Sequence, residues 1–100
     1  MAGTFYKGET ASLAGCTGFS LTGMTTKKVV ILRPDATSVQ YTGASVVVDD
    51  AITGQWHVVA AAGDLNQAGL YLRQSYWSDG SVIRYGPLDT FLVEDPLVFS

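Results

Sequence analysis

The sequence predicts an all-β sandwich built as one domain, and three observations predict it. Helical periodicity is nearly absent, while β-branched, aromatic and Gly residues dominate. Short alternating runs are separated by turn signals every ~8–12 residues, the spacing of sandwiches and barrels. The chain has 100 residues, 47% hydrophobic and 15% charged, which is enough for one core and too short for two. That balance is also too apolar for a disordered chain.

The elements follow from the chain in order. Phe5-Tyr6 and Ser12-Leu13 are expected to form an N-terminal strand pair or arm, and 19–21 a short strand. Residues 28–33 make the clearest strand; Val29, Val30, Ile31 and Leu32 are apolar on both faces, so it is expected in a covered, central position. Pro34-Asp35-Ala36-Thr37 reads as a type I turn, because Pro presets φ and Asp bonds its own turn backbone. Residues 38–42 return as the second arm of that hairpin, and 45–49 follow. Residues 50–54 turn into a strand over 55–60, whose Trp56 and Val58 share a face. A crossover at 61–68 leads to a long strand, 69–77. Ser78-Asp79-Gly80 is a tight turn, with Asp-Gly a strong hairpin signal. Residues 81–85 pair back, Gly86-Pro87 ends that strand, and 89–94 is the last. The expected core is Leu13, Val29, Ile31, Val46, Val48, Trp56, Val58, Leu65, Tyr71, Phe91 and Val93.

The segment Asp64-Leu65-Asn66-Gln67-Ala68-Gly69-Leu70-Tyr71 refines the class. An acidic residue, a small Ala-Gly pair and a Tyr just inside a strand form the pattern of the tyrosine corner in immunoglobulin-like sandwiches, where the hydroxyl bonds backbone a few residues upstream. The expected partner is backbone near Asp64 or Leu65. Arg73 stands where antibody domains carry a cysteine, so an antibody-type domain is excluded and the antiparallel immunoglobulin-like sandwich is the expected fold, a single domain over 1–100 with short terminal arms.

The same residues carry a family resemblance. Tyr6-Lys7-Gly8-Glu9-Thr10, Leu32-Arg33-Pro34-Asp35-Ala36-Thr37, Thr53-Gly54, the 64–71 segment, Asp79-Gly80, Pro87 and Phe91-Leu92-Val93-Glu94 occur in the order of a known pattern. The chain resembles the small immunoglobulin-like domains of tailed-phage virions, notably the N-terminal domain family of the phage baseplate upper protein. Two departures stand out. Ala36 replaces a turn Gly, so the hairpin is expected to avoid positive φ there, and 15–26 has no counterpart in the pattern. The resemblance implies a non-enzymatic structural part of a virion (tail, baseplate or neck), made in the host cytoplasm and joined to other virion proteins in a multi-copy assembly. A capsid decoration protein of the same fold and a carbohydrate-binding receptor module are the alternatives. The family defines no catalytic residues.

Composition bears on partners and chemistry. The net charge is −3, and Lys7, Lys27, Lys28, Arg33, Arg73 and Arg84 are scattered, so no nucleic-acid partner is expected. Apolar runs fall far short of the ~20 residues that span a bilayer, and no basic leader precedes an apolar core, so neither a membrane partner nor a signal peptide is expected. The single cysteine, Cys16, forms no internal disulfide, which suits a reducing compartment. His57 lacks a nucleophile elbow or oxyanion-loop motif in its company and reads as a partly exposed strand histidine. Asp49, Asp50 and Asp64 fit no EF-hand loop and read as turn carboxylates. No catalytic, cofactor or metal residue is expected.

Aromatic residues point to contact instead. On 69–77 one face carries Leu70, Leu72, Gln74 and Tyr76, the other Tyr71, Arg73, Ser75 and Trp77, and neither is solvent-like. A sandwich buries one face only. Tyr, Trp and Arg dominate interface energetics. The expected contact residues are Arg73, Tyr76, Trp77 and Tyr85, with two terminal apolar hooks, Phe5 and Tyr6 at one end, Leu97 and Phe99 at the other.

Overall fold

The computed structural model describes residues 4–61 and 63–95. Nine strands occur among them: β1 (Thr4–Tyr6), β2 (Ala11–Cys16), β3 (Thr26–Leu32), β4 (Ser38–Thr42), β5 (Val47–Asp50), β6 (Gln55–Ala60), β7 (Gly69–Ser78), β8 (Ile83–Tyr85) and β9 (Asp89–Glu94). A single 3-10 turn, Gly43–Ser45, leads into β5. No described helix is long and apolar enough to cross a membrane.

The strands form two sheets. The larger runs β1-β9-β7-β3-β4, with β8 also pairing β7; the smaller runs β2-β6-β5. The ten residues of β7 are long enough to take β9 against Gly69–Arg73 and β8 against Tyr76–Ser78. Every pair is antiparallel except β1–β9, which is parallel and registers Phe5 with Val93. The expectation of a wholly antiparallel sandwich is corrected there, as is the expected pairing of Phe5-Tyr6 with Ser12-Leu13. β1 joins the larger sheet and β2 the smaller, separated by a turn in which the Gly8 N–H donates to Leu65 O at 2.8 Å.

The core lies between the sheets, because period-two alternation turns one face of each strand inward. β6 buries Trp56, Val58 and Ala60 and turns Gln55, His57 and Val59 out. β3 buries Val29 and Ile31, β9 Phe91 and Val93. Tyr71 stacks on Phe91, with ring centroids 5.1 Å apart. Trp56 lies across β2 so closely that a Cβ at Gly15 would run into its ring. Of the expected core, Val48 is only half-buried; Leu21, Tyr41, Ala60 and Trp77 join it. Residues 19–21 form no strand. They lie in irregular chain, where Leu21 is pinned by its N–H donating to Ala51 O at 2.7 Å.

The 33–37 turn overturns one expectation. Ala36 has φ of +72°, the one positive value of a non-glycine among the described residues. The Ala36 N–H donates to Arg33 O at 3.0 Å, and the Arg33 N–H to Thr37 O at 2.8 Å, which is a type I turn closed by a bulge residue in the left-handed region. Asp35 Oδ1 accepts from the Thr37 N–H and hydroxyl, so the loop is fixed from both sides and Ala36 must bear the strain.

Candidate functional site: the outer face of the larger sheet

β7 decides which face is which. Tyr71, Ser75 and Trp77 point into the core, and Arg73 points the same way. One polar pair on this face is satisfied within the core. Trp77 Nε1 donates to Ser75 Oγ at 2.8 Å. The Arg73 guanidinium sits 5.5 Å from the Trp56 ring centre and 3.6 Å from Asp89 Oδ2. Its side chain is 15% exposed. Its Nε is buried without a hydrogen-bond partner among the described residues. Together Arg73, Trp56, Asp89, Gly15, Cys16 and Gln55 line a cleft of about 430 Å³.

The Tyr71 hydroxyl bonds backbone upstream of its strand, though not at the expected position. It donates to Gln67 O at 2.9 Å and accepts from the Gln67 N–H at 3.1 Å. Backbone at Asp64 and Leu65 is not its partner. Asp64 serves another tyrosine: Tyr41 donates to Asp64 Oδ2 at 2.7 Å, and the same oxygen accepts from the Ala61 N–H at 2.9 Å. Burial, then the hydrogen bond and charge of Asp64, push the Tyr41 hydroxyl well above its ordinary range. Arg33 Nε donates to Asp64 O, and Gln67 is hydrogen-bonded through its side chain to Asp35, which ties the crossover to the β3–β4 hairpin. Hydrogen bonds from Thr37 hold Asp35 below the usual carboxylate range, and backbone N–H groups of Val82 and Ser81 do the same for Asp79.

The opposite face of the larger sheet is open and carries an aliphatic cluster on its three middle strands. Leu70, Leu72, Gln74 and Tyr76 of β7 point outward. Cross-strand pairing sets Leu32 beside Leu72, Val30 beside Gln74 and Leu92 beside Leu70. Leu88 borders them, 62% exposed, and Leu70 is 56% exposed. A shallow hollow of about 220 Å³ lies among Val30, Leu32, Leu72, Gln74 and Leu88. β3 is central in hydrogen bonding, as expected, but its outer face is not covered.

The expected contact residues are divided by this arrangement. Tyr76 and Tyr85 meet on the outer face edge to face, centroids 5.5 Å apart, with Lys28 Nζ 5.4 Å from the Tyr76 ring centre. Tyr6 is exposed beside Glu94, at the far edge. Phe5 turns inward against Phe91, and Arg73 lines the cleft. Trp77 is 0% exposed, so its assignment as a contact residue is corrected: it belongs to the chain's own core, its ring nitrogen satisfied by Ser75. Leu97 and Phe99 lie outside the described residues. The Leu70–Leu72 face of β7 is already unlike a solvent face in the sequence; its extension to Val30, Leu32, Leu88 and Leu92 was missed. Its signal was present in the run Val29 to Leu32, whose apolarity on both faces points to a second covered face, not only to a central strand.

His57 lies on the outer face of the smaller sheet, its Nδ1 2.8 Å from Asp49 Oδ1. Among the described residues no hydroxyl or thiol is hydrogen-bonded to its ring. No group of three or more His, Cys, Asp or Glu that could hold a metal occurs among them either. No family model, curated protein or solved structure matches this chain.

Proposed function

We propose that the chain is a non-enzymatic structural subunit of a tailed-phage virion, a tail, baseplate or neck part built on an immunoglobulin-like sandwich. Two features support the sandwich class. The orders β9-β7-β3-β4 and β2-β6-β5 correspond to the G-F-C-C′ and B-E-D strands of that fold. Tyr71 bonds backbone four residues upstream, as a corner tyrosine does.

The single observation that carries the assembly role is the open aliphatic face of the larger sheet. Exposed aliphatic side chains clustered in this way are a mark of interaction sites on folded domains. The test is to purify particles from a host producing this chain, wash them in high salt, and quantify the chain by mass spectrometry. The expected result is a fixed number of copies per particle. A chain that stays in the soluble fraction overturns the reading. Position within the particle separates a tail part from a capsid decoration protein. Exposed Tyr85, set edge to face on half-buried Tyr76, is the feature that supports the carbohydrate-binding alternative, since sugars stack on such rings. A glycan array that Tyr85→Ala silences would establish that alternative instead.

A further inference from the structure

The outer face of the larger sheet has a charge pattern as well as an apolar one. Among the described strand residues that point outward there, Lys28 and Glu94 are the charged ones. Lys28 lies over Tyr76 on β3, and Glu94 alternates with buried Phe91 and Val93 on β9. Between them lie Val30, Leu32, Leu70, Leu72, Leu88 and Leu92, with Gln74 and Thr90 as the uncharged polar residues among them. Lys28 is paired opposite Tyr76, and Glu94 lies one residue beyond the Val93–Gly69 pair. The two charges therefore occupy opposite corners, about 26 Å apart along the strands and about 10 Å across them.

We propose that this face packs on the same face of a second copy of the chain, about a two-fold axis lying in the interface. A two-fold axis perpendicular to the Lys28–Glu94 diagonal brings Lys28 against Glu94 of the partner subunit, and the reciprocal pair forms by symmetry. The diagonal is inclined roughly 20° to the strands, so the strands of the two copies cross at about 40°, near the ~30° of aligned sheet packing. The whole five-strand face measures roughly 25 by 25 Å in projection, comparable with the ~800 Å² per partner of a standard interface. The aliphatic cluster occupies its middle three strands, and Ser38, Gln40 and Thr42 of β4 form a polar rim. Burial of the aliphatic cluster supplies affinity, and the two charge pairs set orientation.

The inference rests on the face that carries the assembly reading, and the two fail separately. A dimer that never enters particles defeats only the virion role. A monomer that still enters them defeats only the self-pairing. The experiment is sedimentation equilibrium of the full chain over a concentration series, with circular dichroism melts to verify folding of every variant. The wild-type chain should dimerise with a Kd in the micromolar range. Leu70→Asp should be monomeric. Lys28→Glu and Glu94→Lys should each weaken dimerisation at least tenfold, and the double exchange should recover most of that loss. A wild-type chain monomeric at several hundred micromolar overturns the proposal, and so does a dimer indifferent to Leu70→Asp. Single charge reversals without effect, or without rescue in the double exchange, overturn the two-fold register.

Discussion

The two sheets differ most on the sides that face away from each other. On the smaller sheet, β2 and β6 turn out Ser12, Ala14, Cys16, Gln55 and His57, and the Asp49 carboxylate binds the histidine ring. Its exposed aliphatics, Val47 and Val59, interrupt a largely small and polar surface. On the larger sheet the outward positions of three adjacent strands include five Leu and Val residues, Val30, Leu32, Leu70, Leu72 and Leu92, in one cluster. Both sheets cover the same core with the same alternation. A face that costs nothing in water and a face that gains by being covered are therefore written in the same period, and only residue type distinguishes them.

That contrast can be broken most forcefully inside β7. Trp77→Ala empties a fully buried site and should cost about 3–5 kcal/mol in urea unfolding. Leu70→Ser, on the outer face of the same strand, should stay within about 0.5 kcal/mol when measured at dilutions that keep the chain monomeric. If the two costs were similar, the outer face would be part of the monomer's own core.

Gly15→Ala sharpens the same point from the smaller sheet. The added methyl meets the Trp56 ring, and overpacking of that kind should lower stability by about 1–3 kcal/mol. Tyr71→Phe should cost about 1–2 kcal/mol, because it removes both hydrogen bonds to the Gln67 backbone while leaving the ring stacked on Phe91.

Tyr41 gives a pH signature. Its folded pKa is raised above the ordinary value of 10.0, so above pH 10 the folded chain holds a proton that the unfolded chain releases. Its contribution is fully present below that pH and falls as pH rises beyond it. Melting temperatures between pH 9 and about 11 should decline, and Tyr41→Phe should flatten the decline. The smallest effect should be a gain. Ala36→Gly relieves the positive φ at a small entropic cost and should raise stability by about 0.5–1 kcal/mol, read as a higher urea midpoint.

Much of the architecture is legible in the sequence where local chemistry and tertiary demand agree. β4, β6 and β9 span the expected residues, because turn residues bracket clear alternation. β7 is where legibility ends. Its two faces carry similar apolar mass, and the buried one contains Arg73 and Ser75 while the open one contains Leu70 and Leu72. Hydrophobicity alone would reverse them. Ser75 bonding the Trp77 ring nitrogen, and Arg73 lying on Trp56, are contacts that exist only after folding. Ala36 follows the same logic: propensity argues against positive φ, and the Asp35–Thr37 and Arg33–Thr37 bonds prevail.

The parallel pairing of β1 with β9 has a mechanical consequence. In parallel strands the start of one and the end of the other lie at opposite ends of the ladder. Tension applied between the chain before Thr4 and the chain after Glu94 therefore runs along both strands and across their hydrogen bonds. The bonds are loaded together in shear, not opened one after another like a zipper. The ladder extends through the Lys7 N–H, which donates to Glu94 O at 2.9 Å, and Phe5 keys edge-on against Phe91 beneath it. Single-molecule pulling along that direction should meet its main force peak at this short clamp, and Phe5→Ala should lower the peak.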